Sequence, residues 1–239
     1  MFVAAALVPS PPLLVPELAG RGVGETAGLR AAAGRVVSAL AAESTTWTAI
    51  GVGARTEAFS SPARGTFRGY GADVEVSFGG GSDSEVDPEL PLAALVAGWL
   101  RGAYATSVDM EVRLFTEAMM PADCVAEGER LRGALDRDER PRGLLVIGDG
   151  ANTLTPKAPG AFDPASEPVQ ARIDQALAGG RSALLEGLEP DTARRFGIGG
   201  RVAWQILAGV FADAEPTRTS TEYTGAPYGV GYHVGMWWR

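Results

Sequence analysis

The residues with the clearest chemical potential cluster in one loop, Asp149 to Lys157 (DGANTLTPK). It supplies a carboxylate (Asp149), a carboxamide (Asn152) and an ammonium group (Lys157, the single lysine), but no imidazole. Donors of this kind suit a carboxylate, phosphate or enolate ligand. Asp149-Gly150 is equally a plain turn, its carboxylate capping nearby backbone N–H groups. Ser10 follows the first apolar run. No Gly-x-Ser-x-Gly elbow surrounds it and no base is fixed beside it, so a nucleophilic role is weakly supported. His233 is the sole histidine. It could be a general base or a lone metal ligand, but a hydrogen-bonded structural or interface histidine is the favoured reading. Cys124, the sole cysteine, excludes an intrachain disulfide and a cysteine-rich metal site. In the helix start PADCVAEGERL it reads as a small buried residue.

The elements that must hold these residues follow from periodicity. Gly143 to Gly148 is a short apolar run bounded by glycine, as in a strand buried on both faces of a parallel sheet. The loop that follows it lies at the strand's carboxyl edge, where open α/β sheets bind ligands. Phe2 to Val8 reads as a first strand, stopped by Pro9-Ser10-Pro11-Pro12, with Ser10 held extended by Pro11. Glu25 to Glu43 carries Leu29, Val36, Val37 and Leu40 on one helical stripe. Further strands are expected over Thr46–Val52, Asp73–Phe78 and Asp109–Phe115. Further helices are expected over Pro91–Tyr104, Pro121–Arg137, Val169–Gly187 and from near Gly199 through Phe211. Gly65–Gly71 reads as an irregular crossing and Gly79–Glu85 as a surface loop. Gly197-Ile198-Gly199-Gly200 could be a phosphate-binding turn, although flexibility ahead of a helix is the better reading. Thr217–Tyr223 and Gly229–Trp238 form a closing antiparallel pair. The pattern predicts a three-layer α/β/α sandwich with a mixed, mostly parallel central sheet, as one domain over residues 1–239. Trp237-Trp238 reads as buried against the sheet edge, or else as part of a subunit interface.

The chain has 239 residues, 46% of them hydrophobic and 21% charged, as in ordinary globular proteins. A formal net charge of −8 argues against a nucleic-acid surface. The apolar N-terminus lacks a basic leader and breaks at prolines, so it reads as a core strand instead of a signal peptide. No segment is apolar enough for a membrane span. A cytoplasmic location is the expectation.

ALVPSPPLLVPEL, IGDGANTLTPKAP and the closing TGAPYGVGYHVGMWW together resemble the class III extradiol ring-cleavage dioxygenase catalytic subunit (LigB-like) and its Memo-like relatives. ARTEAFSSPARGTFRGYGA resembles the segment that carries the family's second histidine. The likeness spans nearly the whole chain. It implies non-haem Fe(II) chemistry, yet the positions it would use carry other residues. The first iron-binding histidine falls on Ser10, the second on Arg55 (with Phe59 as anchor) and the acid–base histidine on Asn152. The last ligand falls near Arg194-Arg195-Phe196-Gly197. Ferrous iron wants imidazole and carboxylate donors, whereas a hydroxyl is a poor donor and a guanidinium repels a cation. One histidine cannot build a two-histidine site in one protomer.

The expectation is therefore a pseudoenzyme with no metal or other cofactor. Its cleft would be lined by Ser10, Arg55, Asp149, Asn152 and Lys157, and would take a small anionic or aromatic ligand. Alternatively, Arg55 pairs with Asp149 or Glu57 and closes an unused cavity. The enzymatic alternatives are a divergent ring-cleavage dioxygenase and a metal-independent enzyme; candidate catalytic residues are Asp149, Asn152, Lys157 and His233. A homodimer or a noncatalytic subunit bound to a partner completes the set.

Overall fold

A computed structural model describes residues 1–80 and 84–239. In chain order the elements are β1 (Phe2–Val8), α1 (Pro16–Ala19), α2 (Ala27–Glu43), β2 (Thr46–Gly53), β3 (Glu57–Ser60), β4 (Arg64–Thr66), β5 (Glu75–Ser77) and β6 (Val86–Asp87). They continue through α3 (Leu92–Tyr104), β7 (Asp109–Thr116), α4 (Pro121–Asp136), β8 (Arg142–Ile147), α5 (Ser166–Gly179) and α6 (Ser182–Glu186). The chain closes with α7 (Pro190–Phe196), α8 (Arg201–Val210), β9 (Arg218–Gly225) and β10 (Tyr232–Trp238).

The main sheet has the order β3-β7-β2-β8-β1-β10-β9. Its centre, β7-β2-β8-β1, is parallel; β3 and the β10–β9 pair are antiparallel additions at the two sides. Leu144 to Ile147 are all buried, and their alternate side chains feed two separate cores. Leu145 and Ile147 join α2 and α3 on one face; Leu144 and Val146 join α4, α5 and α8 on the other. This is the three-layer arrangement expected.

Helix α8 is buried on every side, between the sheet and α4. The two helices touch backbone to backbone: a Cβ at Gly128 would lie 2.1 Å from the Ile206 carbonyl oxygen, and one at Gly209 the same distance from that of Val125. Glycine at both positions is thus what permits the contact.

Several expectations need correction. The single helix over Val169–Gly187 is two, α5 and α6, because Gly180 turns left-handed (φ +65°) and its N–H caps the Ala176 carbonyl. The crossing at Gly65–Gly71 starts in β4 and ends in a 3₁₀ turn, Phe67–Tyr70; β4 pairs with β5 and β6 in a small second sheet of order β5-β4-β6. Strand β5 is shorter than the Asp73–Phe78 run. Of the Gly79–Glu85 loop, residues 81–83 lie outside the described residues. Trp237 is fully buried, its indole N–H donating to the Leu177 carbonyl at 2.7 Å, and Trp238 lies under the Arg218 guanidinium, 3.8 Å from ring centroid to carbon. Both are packed by this chain's own residues.

Candidate functional site

Beyond β8 the chain turns sharply against the start of α8. A Cβ at Gly148 would come 2.6 Å from Gly200 Cα, and the Gly200 N–H donates to the Asp149 carbonyl at 2.7 Å. The Gly150 N–H donates to the Gly231 carbonyl (2.7 Å) and the Gly231 N–H to the Ala151 carbonyl (2.9 Å). These bonds lash the loop to the residues ahead of β10, which is why β10 begins at Tyr232 and not at Gly229.

Of the residues expected to share one cleft, Ser10 and Asp149 meet directly, whereas Arg55 and Lys157 are exposed. Asp149 reaches the end of β1: Oδ1 accepts the Ser10 N–H and Oδ2 the Ser10 hydroxyl, both at 2.8 Å. Burial pushes the Asp149 carboxyl above its ordinary range, and the two Ser10 bonds oppose that without cancelling it. The nearby Tyr232 phenol is also pushed up, by burial first and by the Asp149 charge second. Arg55 does not enter a cleft. Its side chain is 80% exposed and its Nε donates to Glu57 Oε2 at 2.8 Å. Strand β3 folds back along β7, leaving the turn before it in solvent. Lys157 is likewise exposed, at the outer turn of its loop.

Asn152 lines a crevice of about 490 Å³ whose described lining includes none of the other four. Its backbone N–H donates to the Phe196 carbonyl (3.0 Å) and its carbonyl accepts the Gly160 N–H (2.9 Å). The carboxamide itself has no hydrogen-bond partner among the described residues. It sits between two glycines: a Cβ at Gly197 would lie 2.0 Å from Oδ1, and one at Gly160 2.3 Å. Gly197 also holds a left-handed φ of +60° as it closes α7, so this turn belongs to a helix end and not to a phosphate loop.

Ile198, from the Gly197–Gly200 turn, forms one further wall, and the others come from residues that sequence reasoning missed: Val52 at the end of β2, Glu117 after β7, and Arg201 and Val202 at the start of α8. After β2 the chain passes to the face covered by α3, whereas after β7 and β8 it passes to the face covered by α4 and α5. The crevice therefore opens at a topological switch point, beyond the carboxyl ends of parallel strands. A wider groove of about 720 Å³ lies at the opposite edge, but its Arg113, Arg140 and Arg142 pair with its own Glu111 and Asp138.

Arg201 sets the crevice's charge. It is 3% exposed, and its three hydrogen bonds go to neutral oxygens: Nη1 to Gln205 Oε1 (2.9 Å), Nη2 to the Met119 carbonyl (2.9 Å) and Nη2 to the Glu117 carbonyl. No carboxylate pairs with it among the described residues. One signal was available in sequence: an arginine in the first turn of a helix opposes the macrodipole and calls for a reason. Beside it, Cys124 is buried, and burial outweighs the arginine charge in pushing its thiol up to about 11, which leaves it inert at neutral pH.

His233 is 4% exposed, with Nδ1 3.4 Å from Thr224 Oγ1 and Nε2 without a partner. Burial holds its pKa down to about 4, so the ring is neutral at pH 7. It lies in the sheet, away from the crevice lining. The histidine positions the dioxygenase likeness assigns to iron do not fit that ion: a serine hydroxyl bound to a carboxylate and an exposed, ion-paired arginine, with a carboxamide where the likeness places the acid–base histidine. Among the described residues no group of three or more His, Cys, Asp or Glu could hold a metal, and no helix is long and apolar enough to cross a membrane.

No family model matches the chain, and no curated protein matches it. Among solved structures it is similar to an uncharacterized protein, JW3007, from Escherichia coli K12. The identity is 13% over 98% of each chain, with a TM-score of 0.56, and at that identity the likeness concerns the fold.

Proposed function

We propose that this chain is a small-molecule-binding protein, a divergent relative of the class III extradiol dioxygenases that operates without iron. The observation that carries the reading is the Asn152 carboxamide, facing the crevice with donors and acceptor unspent. Polar groups so placed ordinarily orient a ligand. A volume of about 490 Å³ suits a single-ring aromatic or branched acid. Neither Asp149 nor His233 is among the residues that line the crevice with Asn152, which favours binding over acid–base catalysis, because general catalysis needs groups within reach of one substrate.

The test is a two-dimensional NMR titration of the full chain with catechol and, separately, benzoate, following the backbone amides of Ile198 and Val202. Saturable shifts at those amides with either probe, reduced in Asn152→Ala, are expected. Absence of any shift with both probes refutes the reading. Stoichiometric iron after purification with iron(II), lost in Asn152→Ala, would refute its iron-free part.

A further inference from the structure

We infer that the crevice is selective for an organic carboxylate, with Arg201 as the group that sets this preference; the inference rests on the small-molecule reading above and names its ligand class. Three observations converge on it.

First, Arg201 brings a full positive charge to the crevice lining and spends its hydrogen bonds on an amide oxygen and two backbone carbonyls. A buried charge is ordinarily matched by a counter-charge, since its Coulomb field is weakly screened in the interior. Here none of this chain's carboxylates supplies one among the described residues. A ligand carboxylate in the crevice would.

Second, Arg201 opens α8, a helix with no side-chain cap. The first-turn N–H groups of such a helix are unsatisfied from within and favour a negative group at the same end. Arginine and helix terminus therefore add in sign at one wall, and Asn152 presents a donor from another.

Third, the remaining walls are apolar. Val52, Ala118, Ala193, Ile198 and Val202 would cover a hydrocarbon body, which inorganic anions lack. The rim holds two other charges. Arg194 is exposed and already paired with Asp191 at 2.7 Å. Glu117 is exposed and forms no ion pair among the described residues, so its carboxylate opposes an anionic ligand.

The experiment is calorimetric titration of the full chain, in low-salt buffer at pH 7, with benzoate, its neutral isostere benzamide, catechol and inorganic phosphate. Benzoate is expected to bind at least tenfold more tightly than benzamide. Glu117→Gln should raise the benzoate-to-benzamide affinity ratio two- to fivefold, and Asn152→Asp should lower that ratio at least tenfold. Arg201→Gln should erase the benzoate preference; if that variant does not fold, the Glu117 and Asn152 variants decide alone. Benzamide binding as well as benzoate, phosphate outcompeting benzoate, or Glu117→Gln leaving the benzoate-to-benzamide ratio unmoved would overturn the inference. Binding of catechol or benzamide without preference for benzoate sinks the carboxylate assignment and leaves the small-molecule reading standing; no binding of any organic probe sinks both.

Discussion

Gly197→Ala tests whether the Asn152 carboxamide is held where its role requires. Two costs are readable at that position. An L-residue at φ +60° pays about 1–2 kcal/mol for the left-handed conformation alone. The new methyl would also lie 2.0, 2.3 and 2.5 Å from Oδ1, Cγ and Nδ2 of Asn152, all atoms of the carboxamide. Gly160 blocks one escape, because the carboxamide already packs tightly against it. Moving the group off its rotamer adds about 0.5–1.5 kcal/mol. Urea denaturation should therefore show Gly197→Ala destabilised by roughly 2–3 kcal/mol. In an Asn152→Ala background the collision is gone, so the same substitution should cost about 1–2 kcal/mol. The coupling in this double-mutant cycle is the informative quantity. Equal costs in both backgrounds, within the ~0.5 kcal/mol at which independent sites add, would refute the claim that the two glycines seat this side chain.

Asp149→Asn should be tolerated, because an amide can accept the Ser10 N–H and donate to the Ser10 hydroxyl, whereas Asp149→Ala leaves the part-buried Ser10 N–H without its acceptor and should cost about 1–2 kcal/mol by urea denaturation. The raised native pKa of Asp149 means that the folded state holds its proton more tightly, so its contribution to stability falls as pH rises from the ordinary carboxylate value through the native one; Asp149→Asn should remove that slope. His233 has the opposite sign. Its pKa falls from 6.5 to about 4 on folding, so the unfolded chain binds the extra proton between those values. Stability should be fully present above pH 6.5 and decline by roughly 3 kcal/mol as pH drops through about 4, a slope that His233→Leu should abolish in pH-resolved denaturation curves.

The layered sheet was legible because its signals are local. Leu144 to Ile147 between glycines, the stripe of Leu29, Val36, Val37 and Leu40, and the proline stop after Val8 each specify an element without reference to the rest of the chain. The break at Gly180 was missed because a Gly-Gly pair inside an amphipathic pattern is compatible with either a tolerated helix residue or a left-handed cap. Which one obtains depends on Pro216 and Thr219, whose side chains pack against that glycine from far along the chain. The site was legible only as an address. Asn152, in the loop after β8, lines the crevice proposed as the site. The other four residues of the expected cleft depended on where side chains point, and that is decided by non-local partners: Ser10 by Asp149, Arg55 by the antiparallel return of β3.

The crevice and the chain as a whole differ in the sign of their charge. Overall the chain is acidic, with a net charge of −8, so its long-range field repels anions. Beyond about 8–10 Å that field is damped by physiological salt, whereas a charge enclosed by protein is screened far less. The short-range field thus governs the crevice, and there Arg201 and the uncapped turn of α8 act together on one wall. An imidazole at residue 152, where the dioxygenase likeness places an acid–base histidine, could not take up a proton beside that wall without paying for the repulsion. A carboxamide has no such conflict, since its N–H donors point the same way electrostatically as the guanidinium. Asn152 and Arg201 are in this sense a matched pair. Binding a metal cation here would require neutralising Arg201 as well as supplying donors, and neutralising it would strip α8 of the bonds that tie its first turn to the Glu117–Met119 backbone.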